Sequence, residues 1–333
     1  METVVCVTGQ HKEMVSPVLE LFGVQPDYDL EIMKANQTLF SITTSILEKI
    51  KPVLEEEQPD IVLVHGDTTT TYAAALAAFY LGIKVGHVEA GLRTYNLQSP
   101  FPEEFNRQST SIIANYHFAP TELAKENLLK EGRENVYVTG NTVIDALTTT
   151  VQKDYTHPDL DLNVDTRLIL LTAHRRENLG EPMKHMFRAV KRVLNEYDDV
   201  KVIYPIHKNP LVRETAEEIF GDTERIQIIE PLDVLDFHNF MNHSYMILTD
   251  SGGVQEEAPS LGKPVLVMRD TTERPEGVAA GTLKLVGTDE ETIYQNFKML
   301  LDDSEEYKKM SQASNPYGNG DASKQIVRIL RGI

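Results

Sequence analysis

The chain has 333 residues, enough for two domains with well-packed cores, and its 41% hydrophobic and 25% charged residues are ordinary for a globular protein. The formal net charge is −19 and no block of Lys and Arg occurs, which argues against nucleic acid and anionic membrane surfaces as partners. A single cysteine, Cys6, leaves no internal disulfide; with no signal-peptide or bilayer-length apolar pattern, it indicates a cytoplasmic protein. No Cys/His spacing of a zinc site occurs, so we expect no metal.

Short β-branched runs alternate with longer helical patterns, which predicts parallel sheets covered by helices on both faces. There are too many strands for one sheet, and the polar, aperiodic segment 152–166 separates two series. The predicted strands are Thr3–Thr8, Asp60–His65, Lys84–Val88, Tyr116–Ala119 and Asn135–Thr139, then Leu168–Thr172, Val200–Ile206, Ile226–Ile229, Tyr245–Thr249, Pro264–Met268 and Thr282–Val286. We therefore predict an α/β protein of two Rossmann-like domains, residues 1–155 and 156–333.

Ligands of such folds bind at the carboxyl ends of the strands. In the first domain Asp67, Glu89 and the pair Glu103-Glu104 follow strands or a short loop. Taken alone, Asp67 could cap the next helix, and the glutamates could be carboxylates of a first helical turn. In the second domain His174-Arg175 and His207 follow strands, where ordinary core or loop histidines also occur. Carboxylates on one domain facing His and Arg on the other are typical of acid–base chemistry on an anionic substrate held in a cleft between domains.

The turn Ser251-Gly252-Gly253 joins an apolar strand to a helix. Backbone N–H groups and the positive end of a helix dipole at such a turn favour a phosphate, although an ordinary strand–helix turn has the same sequence signature. Glu257 follows one and a half turns later, where a carboxylate suits ribose hydroxyls better than phosphate. The pair of features predicts a nucleoside diphosphate attached to a sugar.

Seven segments spread along the chain resemble the non-hydrolysing bacterial UDP-N-acetylglucosamine 2-epimerases: HGDTTTT, VEAGLRT, SPFPEEFNR, AHRREN, YPIHKNP, TDSGGVQEEAPSLGKPVLVMRDTTERPE and NPYGNGDAS. The resemblance implies a fold similar to the GT-B glycosyltransferases, with the substrate in the interdomain cleft and the last helix crossing back to the first domain. It also implies reversible conversion of UDP-GlcNAc to UDP-ManNAc, without metal or other cofactor, in a homodimer that supplies precursors of cell-surface polysaccharides.

The same resemblance assigns roles to individual residues. The acid–base carboxylates would be Asp67, Glu89 and Glu103. His174 and the Ser251-Gly252-Gly253 amides would stabilise the departing diphosphate. Arg274, Glu257 and Phe237 would bind the uridine diphosphate, with Leu232 standing where relatives often carry Gln. A second UDP-GlcNAc could bind as an activator at Gln10, His11, Arg175 and His207, although Glu13 and Asn36 depart from the residues common there.

The start of the chain also departs from the family pattern. Met1-Glu2-Thr3-Val4 opens directly on what resembles the family's second strand, without the first strand, the first helix and a basic turn. From this we expect an unpaired sheet edge, weak UDP binding, self-association and low activity. Two other functions remain open at this point: a GT-B glycosyltransferase, and a sugar-nucleotide binder without activity.

Overall fold

The computed structural model describes residues 1–10, 12–34, 37–160, 166–272 and 274–332. The chain folds as two compact units: unit 1 comprises Met1–Asp145 with Tyr317–Ile333, and unit 2 comprises Ala146–Pro316. Within the described ranges, no helix is both long enough and apolar enough to cross a membrane.

Strands and helices alternate along the described chain, and all paired strands are parallel, which confirms the predicted α/β class. The strands are β1 Cys6–Val7, β2 Tyr28–Asp29, β3 Ile61–His65, β4 Lys84–Val88, β5 Tyr116–Ala119, β6 Val136–Val138, β7 Arg167–Thr172, β8 Val200–Pro205, β9 Ile226–Ile229, β10 Met246–Thr249, β11 Val265–Val267 and β12 Leu283–Leu285. The α-helices are α1 Lys12–Leu21, α2 Leu39–Glu57, α3 Thr69–Tyr80, α4 Glu103–Ile113, α5 Glu122–Lys130, α6 Thr142–Thr150, α7 Glu181–Glu196, α8 Pro210–Phe220, α9 Val234–His243, α10 Val254–Ser260, α11 Pro275–Ala280, α12 Glu290–Asp302, α13 Ser304–Ser311 and α14 Ala322–Leu330.

Unit 2 is built on one six-stranded sheet with the order β12-β11-β10-β7-β8-β9. Ile169 and Leu171 of β7 pack into one hydrophobic core, and Leu170 packs into another. Because successive side chains of a strand point to opposite faces, this sheet is covered on both faces. The hydroxyls of Thr172 and Thr249, the last residues of β7 and β10, are 2.6 Å apart. The loops that follow these two central strands therefore begin side by side.

Unit 1 contains a four-stranded sheet, β3-β4-β5-β6, and a separate pair, β1-β2. β1 is shorter than the predicted strand Thr3–Thr8, and β2 is a strand that the sequence pattern does not predict. Ile32, just after β2, nevertheless packs in the same core as Val64 of β3 and the alanines of α3. Among the described strands β3 pairs with β4 alone, and Leu63 in its middle is exposed.

The boundary predicted after residue 155 lies inside unit 2. Tyr155 and Leu160, from the segment interpreted as a linker, are buried in a core of unit 2, and the Tyr155 hydroxyl donates a hydrogen bond to Asp236 over 2.6 Å. The segment is polar on average, but these two anchors pack it onto the second sheet. The change from one unit to the other falls earlier, within α6 at Asp145.

The C-terminal helix α14 belongs to unit 1. The Asp145 carboxylate accepts hydrogen bonds from the backbone N–H groups of Ala322 and Ser323, at 3.1 and 3.0 Å, and so caps the first turn of α14. Ile326 of α14 packs against Phe118 of β5. A polar cap from α6 and apolar contacts with the first sheet thus fix this helix within unit 1.

Candidate active site

Asp67 lies two residues beyond β3, but it does not cap the helix that follows. The N-cap of α3 is Thr68, whose hydroxyl accepts the backbone N–H of Thr71. The Asp67 carboxylate instead pairs with Arg107 of α4, which donates from Nη2 and Nε, at 2.7 and 2.9 Å, to the same oxygen, Oδ2. No hydrogen bond from a described residue reaches Oδ1. The structure thus excludes the capping interpretation and leaves Asp67 one oxygen for a ligand.

Glu89 follows β4 in a backbone conformation that a glutamate rarely adopts, with φ of 62°. Such a conformation costs on the order of 1–3 kcal/mol and recurs at functional sites. A Cβ atom at Gly66 would lie 3.2 Å from Glu89 Oε2, so this carboxylate rests against the residue before Asp67. Asn141 Nδ2 donates to Glu89 Oε1 at 3.3 Å. The ends of β3 and β4 therefore bring the Glu89 carboxylate next to the turn that carries Asp67.

The neighbours Glu103 and Glu104, at the start of α4, have different surroundings. Glu104 is fully buried, and its carboxylate accepts the backbone N–H groups of Thr94 and Tyr95 and pairs with Arg107. Burial, which raises the pKa of Glu104, is outweighed by these hydrogen bonds and charges, which hold its pKa below the ordinary value. Glu103 Oε2 is also buried but has no hydrogen-bond partner among the described residues. Glu104 is therefore structural, and Glu103 keeps an acceptor for other use.

A buried histidine supports the turn that carries Asp67. His87 of β4 has no exposed surface, and its Nε2–H donates to the Gly66 carbonyl over 2.7 Å. Burial lowers the pKa of His87 to about 3, so the ring is neutral at pH 7. On the next strand, burial likewise lowers the pKa of His117, which pairs with His87 in the sheet register, to about 4.

In unit 2, the loop after β7 is held by the buried carboxylate of Asp250, which follows β10. Asp250 Oδ2 accepts the backbone N–H groups of His174 and Arg175, each at 2.9 Å, and the side-chain amide of Asn178 at 3.1 Å. The His174 ring stacks on His207 with centroids 5.3 Å apart. Burial lowers the pKa of His174; the charges of His207 and Arg175 add to this and Asp250 opposes it. His174, predicted for catalysis, and His207, predicted for the activator site, therefore lie together.

Two guanidinium groups converge on Gly252. A Cβ atom there would lie 2.9 Å from Arg274 Nη1 and 3.4 Å from Arg175 Nη2, so a side chain at this position would displace the Arg274 guanidinium. Arg274 is oriented by the buried Glu256, whose Oε1 accepts from Arg274 Nε at 2.5 Å. The helix after this turn, α10, has seven residues, and the two guanidinium groups add positive charge at its start. Arg175, predicted for the activator site, lies beside Arg274.

The other predicted ligands of unit 2 are Glu257 and Phe237, with Leu232 at the position where relatives often carry Gln. Glu257 faces Gly253, where a Cβ atom would lie 3.9 Å from Glu257 Oε1. Its carboxylate is 3.7 Å from Nε2 of the buried His238. Phe237 and Leu232 are partly buried against a core of unit 2.

The predicted activator residues do not form one cluster within either unit. Gln10 lies in unit 1, where its Oε1 accepts a hydrogen bond from the Thr70 hydroxyl at the start of α3. Arg175 and His207 lie in unit 2. His11 lies outside the described residues.

Sequence reasoning missed five residues that orient this site: His87, Arg107, Asp250, Glu256 and His238. Three of them, Arg107, Asp250 and Glu256, lie inside the segments that resemble the family. Their charged side chains could therefore have indicated a role in the site. The two histidines lie in apolar surroundings, where the pattern indicates nothing beyond a core position.

A family model described as UDP-N-acetylglucosamine 2-epimerase matches residues 1–331. The UDP-N-acetylglucosamine 2-epimerase of Bacillus subtilis is 63% identical over 332 residues, which is 99% of this chain and 87% of the relative. A crystal structure described as a putative UDP-N-acetylglucosamine 2-epimerase from Listeria monocytogenes is 57% identical, with a TM-score of 0.94 over 99% of this chain and 88% of that one. A structure of the Neisseria meningitidis UDP-GlcNAc 2-epimerase bound to UDP-GlcNAc is 50% identical, with a TM-score of 0.90 over 100% of this chain and 92% of that one.

Proposed function

The chain belongs to the non-hydrolysing UDP-N-acetylglucosamine 2-epimerases, and from this we propose that it interconverts UDP-GlcNAc and UDP-ManNAc by eliminating and re-adding UDP. One observation carries the mechanism: Asp67 and Glu103 each keep an oxygen that accepts no hydrogen bond from the described residues. An oxygen of this kind can take or deliver a proton.

Elimination avoids a chemical obstacle. The C2 proton of the sugar is not adjacent to a carbonyl, so its simple removal would leave an unstabilised carbanion. In the proposed step a carboxylate takes the C2 proton while the C1–O bond to UDP breaks, and the C–H electron pair forms the C1=C2 double bond of 2-acetamidoglucal. UDP then re-adds to C1 as a proton reaches C2 on the opposite face. Asp67, Glu89 and Glu103 supply the base and the acid.

We propose that unit 2 holds the diphosphate as it leaves. The Arg274 and Arg175 guanidinium groups against Gly252 offer positive charge where the leaving oxygen gains negative charge. His174 and the Ser251-Gly252-Gly253 amides add hydrogen-bond donors. Because the net charge of the chain is −19, this local cluster must outweigh the field of the whole protein.

The uridine is bound, in this proposal, beyond the diphosphate. Glu257, which faces Gly253, accepts the ribose hydroxyls, and Phe237 packs on the uracil. Leu232 offers no polar side-chain atom, so a uracil hydrogen bond at that position would come from the backbone.

We also propose that the protein is a homodimer. Exposed apolar side chains lie along α3 and α4, which pack on each other in unit 1: Phe79 and Tyr80 on α3, and Phe105 and Ile112 on α4. A second copy would cover this face. An Ile112→Glu variant that stays dimeric by light scattering would contradict this choice of surface.

An activating second UDP-GlcNAc remains a proposal from the family pattern alone. It predicts sigmoidal dependence of the rate on UDP-GlcNAc, and loss of that sigmoidal dependence in Gln10→Ala.

We further propose that the UDP-ManNAc product feeds cell-surface polysaccharide synthesis and that the enzyme works in the cytoplasm. The free thiol of Cys6 suits such a reducing compartment.

Proton NMR of the enzyme with UDP-GlcNAc tests the proposed reaction. We expect a mixture of UDP-GlcNAc and UDP-ManNAc from either starting sugar, with traces of UDP and 2-acetamidoglucal. A glycosyltransferase would instead release UDP only when an acceptor is added, and a binder without activity would change neither sugar.

A further inference from the structure

A buried histidine connects α6 to the carboxylate of Glu257. His238 of α9 is 4% exposed, and its Nδ1 lies 2.7 Å from the hydroxyl of Thr150, the last residue of α6. Its Nε2 lies 3.7 Å from Glu257 Oε1. Thr150 is fully buried, and its hydroxyl is also 3.0 Å from the Ala146 carbonyl.

The positions of the hydrogens follow from the charge on Glu257. The Thr150 hydroxyl has one hydrogen, for either His238 Nδ1 or the Ala146 carbonyl. A carboxylate facing Nε2 favours a hydrogen on that nitrogen, because an unprotonated nitrogen would present its lone pair to a negative charge. With the hydrogen on Nε2, the other ring nitrogen, Nδ1, can accept a hydrogen bond, so Thr150 donates to it. Glu257 and Thr150 together thus favour the tautomer whose Nε2–H faces Glu257.

The two acidic residues in the first turn of α10 are used differently. Glu256 is buried and paired with Arg274. The Glu257 carboxylate lies over Gly253, at the edge of the turn, with its side chain 13% exposed. No described residue donates a hydrogen bond to it, and the ring of His238 lies within ion-pair distance of Oε1. Glu257 therefore faces His238 and keeps acceptor capacity for a ligand.

We propose that His238, anchored by Thr150, is a positioning residue that fixes Glu257 to accept both hydroxyls of a ribose, and so sets the preference for a ribonucleotide sugar over its 2′-deoxy analogue. The inference rests on the proposed function, in which Glu257 binds the ribose. Two parallel hydrogen bonds from a cis-diol require both carboxylate oxygens at fixed positions. Without His238 the Glu257 carboxylate can turn toward water, and the 2′-hydroxyl no longer contributes to binding.

Kinetics with UDP-GlcNAc and 2′-deoxy-UDP-GlcNAc test this role. For the wild type we expect kcat/KM to favour the ribose substrate by about tenfold or more, the usual value of a hydrogen bond to a charged group. In His238→Leu, KM for UDP-GlcNAc should rise to that of the deoxy analogue, with kcat little changed. His238→Gln, whose amide can place an N–H near Glu257, should restore most of the preference.

Two further variants make the outcome decisive. Thr150→Val keeps the shape of the side chain but removes the anchor, and should lower the preference without unfolding the protein. His243→Leu, on the same helix, should leave it unchanged. If folded His238→Leu and Thr150→Val still prefer UDP-GlcNAc over its 2′-deoxy analogue, and Glu257→Gln does not, then Glu257 binds the ribose without help from His238. That result overturns the role of His238 alone. Unaltered discrimination in Glu257→Gln overturns the ribose assignment, and the inference with it.

Discussion

Two acidic side chains of unit 1 each keep an oxygen that accepts no hydrogen bond from the described residues, whereas Asp250 and Glu256, buried in unit 2, are fixed by hydrogen bonds or a cation. In unit 1, Asp67 Oδ1 and Glu103 Oε2 have no partner among the described residues. In unit 2, Asp250 accepts three N–H groups and Glu256 holds a guanidinium. A bonded carboxylate fixes a loop or a cation, while an unbonded oxygen can exchange a proton. We infer that unit 1 carries the chemistry and unit 2 the preorganised binding of the diphosphate.

The largest expected effect distinguishes the roles of the two adjacent glutamates of α4, Glu103 and Glu104. Glu103→Gln should lower kcat by at least about a hundredfold, the scale of a positioned acid–base group, and leave the free energy of unfolding nearly unchanged. Asp67→Asn and Glu89→Gln should also lower kcat by about a hundredfold, with little change in UDP affinity.

Glu104→Gln is the matched control for that comparison. It should lower the free energy of unfolding by about 1.5–3 kcal/mol, because Arg107 loses a buried charged partner. Urea denaturation and steady-state kinetics check both variants. Full activity in Glu103→Gln would return that residue to the role of a helix-terminal carboxylate.

Asp250→Asn should weaken both the fold and the UDP binding of unit 2. An amide cannot accept all the N–H groups that converge on Asp250, so the His174–Arg175 loop should shift. We expect a loss of about 1.5–3 kcal/mol in the free energy of unfolding and at least about tenfold weaker UDP binding by calorimetry. Wild-type UDP affinity in this variant would show that the loop is not preorganised by Asp250.

Arg274→Met and Arg175→Met should each weaken UDP binding by about tenfold or more. Arg192→Met, which removes an exposed guanidinium of α7 in the same unit, is the control and should change the UDP Kd little. If Arg175→Met abolishes sigmoidal kinetics while its UDP Kd stays that of the wild type, Arg175 binds an activator instead.

The smallest effect at neutral pH should come from the buried histidines of unit 1. The folded-state pKa values of His87 and His117, about 3 and about 4, lie below the ordinary 6.5. The unfolded chain therefore binds more protons below pH 6.5, and stability falls as the pH drops from 6.5 toward the folded pKa values. Each of the two histidines should lower the free energy of unfolding at pH 5 by about 2 kcal/mol relative to pH 7. His117→Phe should remove the part of this pH dependence that comes from His117. If urea denaturation shows the same change of unfolding free energy with pH in the variant and the wild type, this account of His117 is wrong.

Much of this could be predicted from the sequence. Continuous apolar runs identified the buried parallel strands, and long matching segments identified the family. The two-residue strand Tyr28–Asp29 has no such run, and Tyr155 and Leu160 are too isolated in a polar segment to reveal that it packs on unit 2. The sequence also could not distinguish Glu103 from Glu104, because neighbouring residues of one type differ only in the hydrogen bonds that the fold supplies.

Deuterium incorporation at C2 tests the proposed mechanism most directly. When the enzyme turns over UDP-GlcNAc in D2O, every UDP-ManNAc formed should carry deuterium at C2, and recovered UDP-GlcNAc should gain it at the rate of the reverse reaction. Glu103→Gln should slow both exchanges together, since they share the proton-transfer step. Epimerisation that keeps the original C2 proton would contradict elimination and the roles assigned to these carboxylates.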